Sequence, residues 1–268
     1  MKKTLILISL LFLASINLFS TNYYVSTTGQ NSNNGSIGNP WRTISYASQQ
    51  LQAGDTLFIR GGVYFESGIT PLNSGNTSDG YIVYSSFPGE IAIIDGTNYN
   101  VSSNGVRLFN KSYIILRNLE IRNFEDGNGI WVENSNNFEI NDCEVHHCGF
   151  GIGIALNSHD FVLNRVLIHH FWLYGFDATP LNASLPCYNG VLNDCIAHTG
   201  IDDQQNVDGF ALGHGIQRNF TFNRCKTWGV YDGFDMSASD VLLNRCSSSN
   251  CANSAYKLWG DNITLMNC

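Results

Sequence analysis

Residues 230–237 read VYDGFDMS, and a near copy, NVDGFALG, occupies residues 206–213. A third echo, SAYKLWGD at residues 254–261, keeps the aromatic and sets Lys257 where the second aspartate stood. The segments recur at the pace of a longer repeat of roughly 21 to 30 residues, the length of a solenoid coil. Its steadiest marker is a polar doublet before a small residue: NDC from Asn141, NRV from Asn164, NDC from Asn193, NRC from Asn223 and NRC from Asn244. RNL from Arg117 and MNC from Met266 fit the same slot. Leu119, Cys143, Val166, Cys195, Cys225, Cys246 and Cys268 thereby form one expected buried column.

A second column is aromatic or aliphatic: Ile130, Ile154, Phe176, Phe210, Phe234 and Tyr256. Two residues later come Val132, Leu156, Ala178, Leu212, Met236 and Leu258. Apolar, variable, apolar is the pattern of a strand with one buried face. The residues between point outward, giving Trp131, Ala155, Asp177, Ala211, Asp235 and Lys257. Apolar columns with asparagines at corners predict an all-β chain folded as a right-handed parallel β-helix, its coils about 4.8 Å apart. Ile44, Ala47 and Leu51 sit at helical spacing and predict a short amino-terminal helix that caps the open end of the stack. GDTLFIRGGVY from Gly54 is expected to follow as the first strand and turn.

Composition agrees with this architecture. Of 268 residues, 43% are hydrophobic and only 13% charged, and 26 glycines stand against five prolines. That mixture suits short strands joined by tight, hydrogen-bonded turns. Residues 1–20 carry Lys2 and Lys3, an apolar run and then small or polar residues, the pattern of an export signal cleaved near Ser20. The apolar run is short and broken for a membrane anchor. The expected mature domain, residues 21–268, is a soluble monomer outside the cytoplasm. The chain reaches Cys268 inside a coil, so further coils and a cap are expected beyond it. A net charge of −8 disfavours nucleic acid and anionic membranes as partners. Five of the eight cysteines fall in the buried column, which favours free thiols as small apolar fillers over a disulfide framework, with a Cys246–Cys251 pair and a partner for Cys187 left open.

Aligned on their inward aromatics, the three segments put Asp208 and Asp232 in one column and Ala211, Asp235 and Lys257 in the next. Asp232 and Asp235 are three residues apart, and Gly233 allows a bend that lets both converge. Stacked carboxylates repel, and a hard divalent cation reverses the sign of that cost. Three oxygen donors on a rigid wall suit Ca²⁺ better than zinc. The competing reading is a set of solvated turn aspartates. For Lys257 the alternatives are a base and a plain salt bridge to Asp235. His146, His147, His169 and His170 form two pairs at one repeat offset; stacked imidazoles can hold a transition metal, but no acidic partner repeats with them, so an ordinary turn column of like residues is the preferred reading.

NVDGFA, YDGFD and YKLW resemble the signature of family 9 polysaccharide lyases, and the opening YYVSTTGQNSNNGSIGNPWRTI is similar to that of many secreted β-helix proteins. The resemblance implies Ca²⁺ ligands at Asp208, Asp232 and Asp235, a proton-abstracting base at Lys257, and β-elimination of pectate-type acidic polysaccharides. The family carries a second acidic residue just before the aspartate of DGxD, where this chain has Tyr231. Asp177, or Asp202 and Asp203, are the candidates to replace it. A lysine usually follows the first DGF, and here the loop reads ALGHG with His214. Trp131, Trp172 and Trp259 are candidates to stack on sugar faces. NVDG and GHG also resemble polygalacturonases, although the order of motifs differs, and a non-catalytic carbohydrate-binding β-helix is the third reading.

Overall fold

A computed structural model describes residues 20–99, 103–179, 184–200, 206–213 and 216–268. The expected export signal therefore lies almost wholly outside the described residues, as do Asp202, Asp203 and His214. Among the described residues no helix is long and apolar enough to cross a membrane.

The chain winds as a right-handed parallel β-helix. A ten-stranded parallel sheet runs from Asn22–Val25 through Thr56–Ile59, Asn136–Asn141, Tyr188–Asn193 and Arg218–Asn223 to Ile263–Met266. Every neighbour in it is about one coil away in sequence. Opposite stands a twelve-stranded sheet whose long members, Leu119–Glu133, Glu144–Ala155 and Leu167–Ala178, turn a corner without interruption. In later coils that corner opens, and Asp208–Leu212, Asp232–Met236 and Ser254–Leu258 become a third face of their own. Phe176, Phe210, Phe222 and Phe234 fill the interior, and Phe210, Phe234 and Tyr256 stack with centroids 5.1 and 5.3 Å apart.

From Arg117 onward the polar doublets mark one corner of each coil. Asn118, Asp142, Arg165, Asp194, Arg224, Arg245 and Asn267 all adopt φ between 53° and 56°. Left-handed backbone is uncommon for residues other than glycine, yet here it recurs once per coil. It turns each amide toward the coil above: the N–H of Arg165 donates to the carbonyl of Asn193 at 2.8 Å, and that of Asp194 to Asn223 at 2.8 Å. Just before it runs an amide ladder. Asn164, Asn193, Asn223 and Asn244 each donate from Nδ2 to Oδ1 of the asparagine one coil earlier, at 2.7 to 3.1 Å. Just after it, Leu119, Cys143, Val166, Cys195, Cys225 and Cys246 are buried as expected, and Cys268 occupies the same position but is exposed. All eight cysteines are free.

The cap and one register differ from expectation. Ile44–Ser48 is helical and buries Ile44 and Ala47, with Thr43 capping its amino end. The first strand, however, is Asn22–Val25, which pairs with Thr56–Ile59, so GDTLFIRGGVY supplies the second and third strands. In the coil of Glu144–Ala155, Ile152 aligns with Ile130 and Phe176, and Gly153 aligns with Trp131 and Asp177. Ile154 belongs to the next apolar column, and Leu156 lies in the turn with φ 50°. The expected column members Ile154, Leu156 and Ala155 are thus each two residues too late. The outer position demands glycine because Trp131 lies across it: a Cβ on Gly153 would fall 2.2 Å from the indole.

Candidate active site

The third face carries the acidic segments. Phe210 pairs with Phe234 and Phe234 with Tyr256, which sets Ala211, Asp235 and Lys257 in one outer row and Asp232 beside Ser254. The two DGF glycines serve close packing. A Cβ on Gly209 would lie 2.2 Å from Thr227 Oγ1, and one on Gly233 2.0 Å from Ser248 Oγ. Gly233 is not left-handed, so the expected bend is achieved without positive φ. The preceding face presses under these strands and leaves no room for a side chain.

Asp208, Asp232 and Asp235 are brought together, with one carboxylate oxygen of each within 4.8 Å of the others. Asp208 and Asp232 are fully buried, and Asp235 is partly so. Their partners are few. Asp208 Oδ2 accepts from Asn206 Nδ2 at 3.1 Å. Asp232 Oδ1 accepts from Asn253 Nδ2 at 2.8 Å and from the Ser254 N–H at 3.0 Å. Lys257 Nζ donates to Asp235 Oδ2 at 2.7 Å and to Asp232 Oδ2 at 3.2 Å. Asp208 Oδ1 and Asp235 Oδ1 are buried with no partner. A buried acceptor without a donor costs on the order of 1–3 kcal/mol, more if charged.

Electrostatics follow from this crowding. Burial, then the negative charges of Asp235 and Asp232, push the Asp208 carboxyl up to about 7. The hydrogen bond to Asp235, and then that to Asp232, raise the Lys257 ammonium above its ordinary value. Without further cations the amine is firmly protonated. The donor set of hard oxygens, two of them lacking any donor, fits a calcium-type cation held by Asp208, Asp232 and Asp235.

Asp177 does not complete the group. It aligns with Ala211, hence two coils from Asp235, a separation of about 10 Å at ordinary strand spacing. Its carboxyl instead accepts from Thr179 Oγ1 at 2.5 Å, and burial raises it to about 7. Asp177 does share with Asp208 and Asp235 a groove of about 310 Å³ whose far wall is Trp131, Phe150 and Tyr174. Trp131 is thus at the site, whereas Trp172 lines a different cleft and Trp259 is 72% exposed. Sequence reasoning passed over Asn206 and Asn253, which orient Asp208 and Asp232; their signal was an asparagine shortly before, or one coil after, each DGF.

The histidine pairs require a second correction. Glu120 and Glu144 do repeat with them: Glu120 Oε1 lies 3.3 Å from His146 Nε2, and Glu144 Oε1 lies 3.0 Å from His169 Nε2. Each acid belongs to the coil before its histidine, so neighbours along the chain do not reveal the pairing.

A family model described as "Pel9A-like, right handed beta helix region" matches residues 23–263. Pectate lyase L of Paenibacillus polymyxa is 26% identical over 284 residues, covering 93% of this chain and 56% of that protein. The chain therefore spans little more than half the length of that relative. The crystal structure of pectate lyase Pel9A superposes with a TM-score of 0.70 at 18% identity, covering 85% of this chain and 62% of that one. An alginate lyase from Paenibacillus sp. FPU-7 superposes at 0.56 with 12% identity, covering 90% and 99%.

Proposed function

We propose a function from one premise: the chain belongs to the Pel9A-like right-handed β-helix family. It is a secreted, monomeric, calcium-dependent lyase that cleaves polyuronides of the pectate or rhamnogalacturonan type by β-elimination. The observation that carries this is the pair of orphaned oxygens, Asp208 Oδ1 and Asp235 Oδ1, buried beside the amine of Lys257.

Asp208, Asp232 and Asp235 would hold the ion, with Asn206 and Asn253 fixing two of the carboxylates. When bound, calcium draws charge from a uronate carboxylate and so acidifies the proton on the adjacent ring carbon. Lys257 leans on Asp232 and Asp235, two of the carboxylates that would hold the ion. Both keep it an ammonium in the ion-free arrangement, and a cation bound to the same acidic group would weaken that hold. Lys257 as the neutral amine would take the C5 proton, the C5–H electron pair would become the C4–C5 double bond as the C4–O bond breaks, and the departing oxygen would take a proton from water to leave as a hydroxyl. Trp131, Phe150 and Tyr174 offer an apolar wall for the pyranose ring. Neutral glycans lack the acidified proton and are not substrates.

Incubation with polygalacturonate, with and without a chelator, tests the reading. Ultraviolet-absorbing products that require Ca²⁺ and vanish in Lys257→Ala support it. New reducing ends without absorbance would indicate a hydrolase, and saturable binding without cleavage would indicate a carbohydrate-binding wall, to which Tyr231 in place of an acid gives weight.

A further inference from the structure

A second set of ligating side chains stands apart from the acidic wall, on the face formed by the first halves of Glu144–Ala155 and Leu167–Ala178. His146 and His169 stack with centroids 4.7 Å apart and planes 5° from parallel, and His147 and His170 stack at 4.8 Å and 2°. Within each coil the rings meet through Nδ1: His146 and His147 at 2.7 Å, His169 and His170 at 2.7 Å. One proton fits such a contact, and either ring can carry it. Through that contact His147 and His170 fix the rings of His146 and His169. Both inner rings consequently turn Nε2 to the same side, toward carboxylates.

Two carboxylates lie there, in different circumstances. Glu120 is engaged by Arg122 Nη1 at 2.8 Å, whereas Glu144 has His169 as its sole ionic partner among the described residues. One oxygen of Glu144 and one ring nitrogen each of His146 and His169 all lie within 4.8 Å of one another. Glu144 Oε1 and His169 Nε2, at 3.0 Å, already have the separation of two ligands on one ion with bonds of about 2.0–2.2 Å. Only His146 has to close in. A surface groove of about 480 Å³, with Glu90, Glu120, Asp142 and Glu144 in its lining, opens onto the carboxylate side of this group.

We infer that Glu144, His146 and His169 form a binding site for a first-row divalent transition metal of the zinc type. Imidazole with one carboxylate is the donor set of such ions, in contrast to the all-oxygen trio of the acidic wall. His147 and His170 act on the metal through the other nitrogen of each ligand ring, the position from which outer partners set tautomer and basicity. A mere packing ladder accounts for the stacking, but it does not require a carboxylate on each Nε2.

The test is calorimetric titration of ZnCl₂ into the untagged chain in excess Ca²⁺, with a Cu²⁺ spectrum for nitrogen coupling. One equivalent of Zn²⁺ is expected to bind, with the Cu²⁺ signal split by two imidazole nitrogens. Glu144→Gln and His169→Gln should each weaken Zn²⁺ about tenfold or more, and Asp208→Asn should leave it unchanged. Glu144 is nearly half exposed, so Glu144→Gln decides the matter even if the histidine variant fails to fold. Absence of Zn²⁺ binding, indifference to Glu144→Gln, or loss in Asp208→Asn would overturn the assignment.

Discussion

Two columns in this molecule are built alike and end differently. From Asn141 to Asn244 five amides stack coil upon coil, and because an amide both donates and accepts, each rung satisfies the next. Asp208 and Asp232 stack the same way, but carboxylates only accept. The result is an orphaned oxygen on Asp208, another on the neighbouring Asp235, and an amine shared between two acids. A solenoid makes columns of like residues as a matter of course. A column is a candidate for chemistry where its members cannot complete one another.

The sharpest way to break this contrast is Lys257→Ala. It should lower lyase turnover by about 10²- to 10⁴-fold, as loss of a general base does, and polygalacturonate assays in saturating Ca²⁺ would reveal it. Next, Asp235→Asn should weaken Ca²⁺ by roughly tenfold or more, since affinity follows the charge count of the ligands; calorimetric titration reads this directly. In the amide column the response should have the opposite character. Asn193→Ala strands the donor of Asn223 and should cost about 1–3 kcal/mol of stability in urea melts while leaving Ca²⁺ affinity alone.

The last test of the contrast is a pH trend. Asp208 is raised from the ordinary 3.8 to about 7 in the fold, so its favourable contribution is complete below pH 3.8 and is lost as pH climbs through about 7. With chelator present, the melting temperature of Asp208→Asn relative to the parent chain should therefore rise between pH 4 and pH 7. Added Ca²⁺ should cancel that rise.

The sequence carried the column logic well where strands keep a strict period of two between fixed corners. Phe210, Phe234 and Tyr256, the outer row of Ala211, Asp235 and Lys257, and the cysteine column all stand where the repeats placed them. The error fell in Phe150–Gly–Ile–Gly–Ile–Ala, where two registers fit equally and an irregularity between Cys148 and Phe150 selects the earlier one. No local pattern encodes that choice, because it depends on Trp131 lying over Gly153 from the coil below. The carboxylates at the histidines were missed for a related reason. Glu144 faces His169 across 25 residues of chain, and the nearer His146 draws attention instead.

The left-handed corner has a bearing on how such a chain can vary. From Asn118 to Arg245 each corner is closed by a backbone N–H that Asn, Asp and Arg supply alike, and the segments between corners range from roughly 21 to 30 residues without disturbing it. Length is absorbed at the loops, while the corner resets the frame before the next turn begins. Loops can therefore be lengthened or exchanged without moving the wall that carries Asp208, Asp232, Asp235 and Lys257.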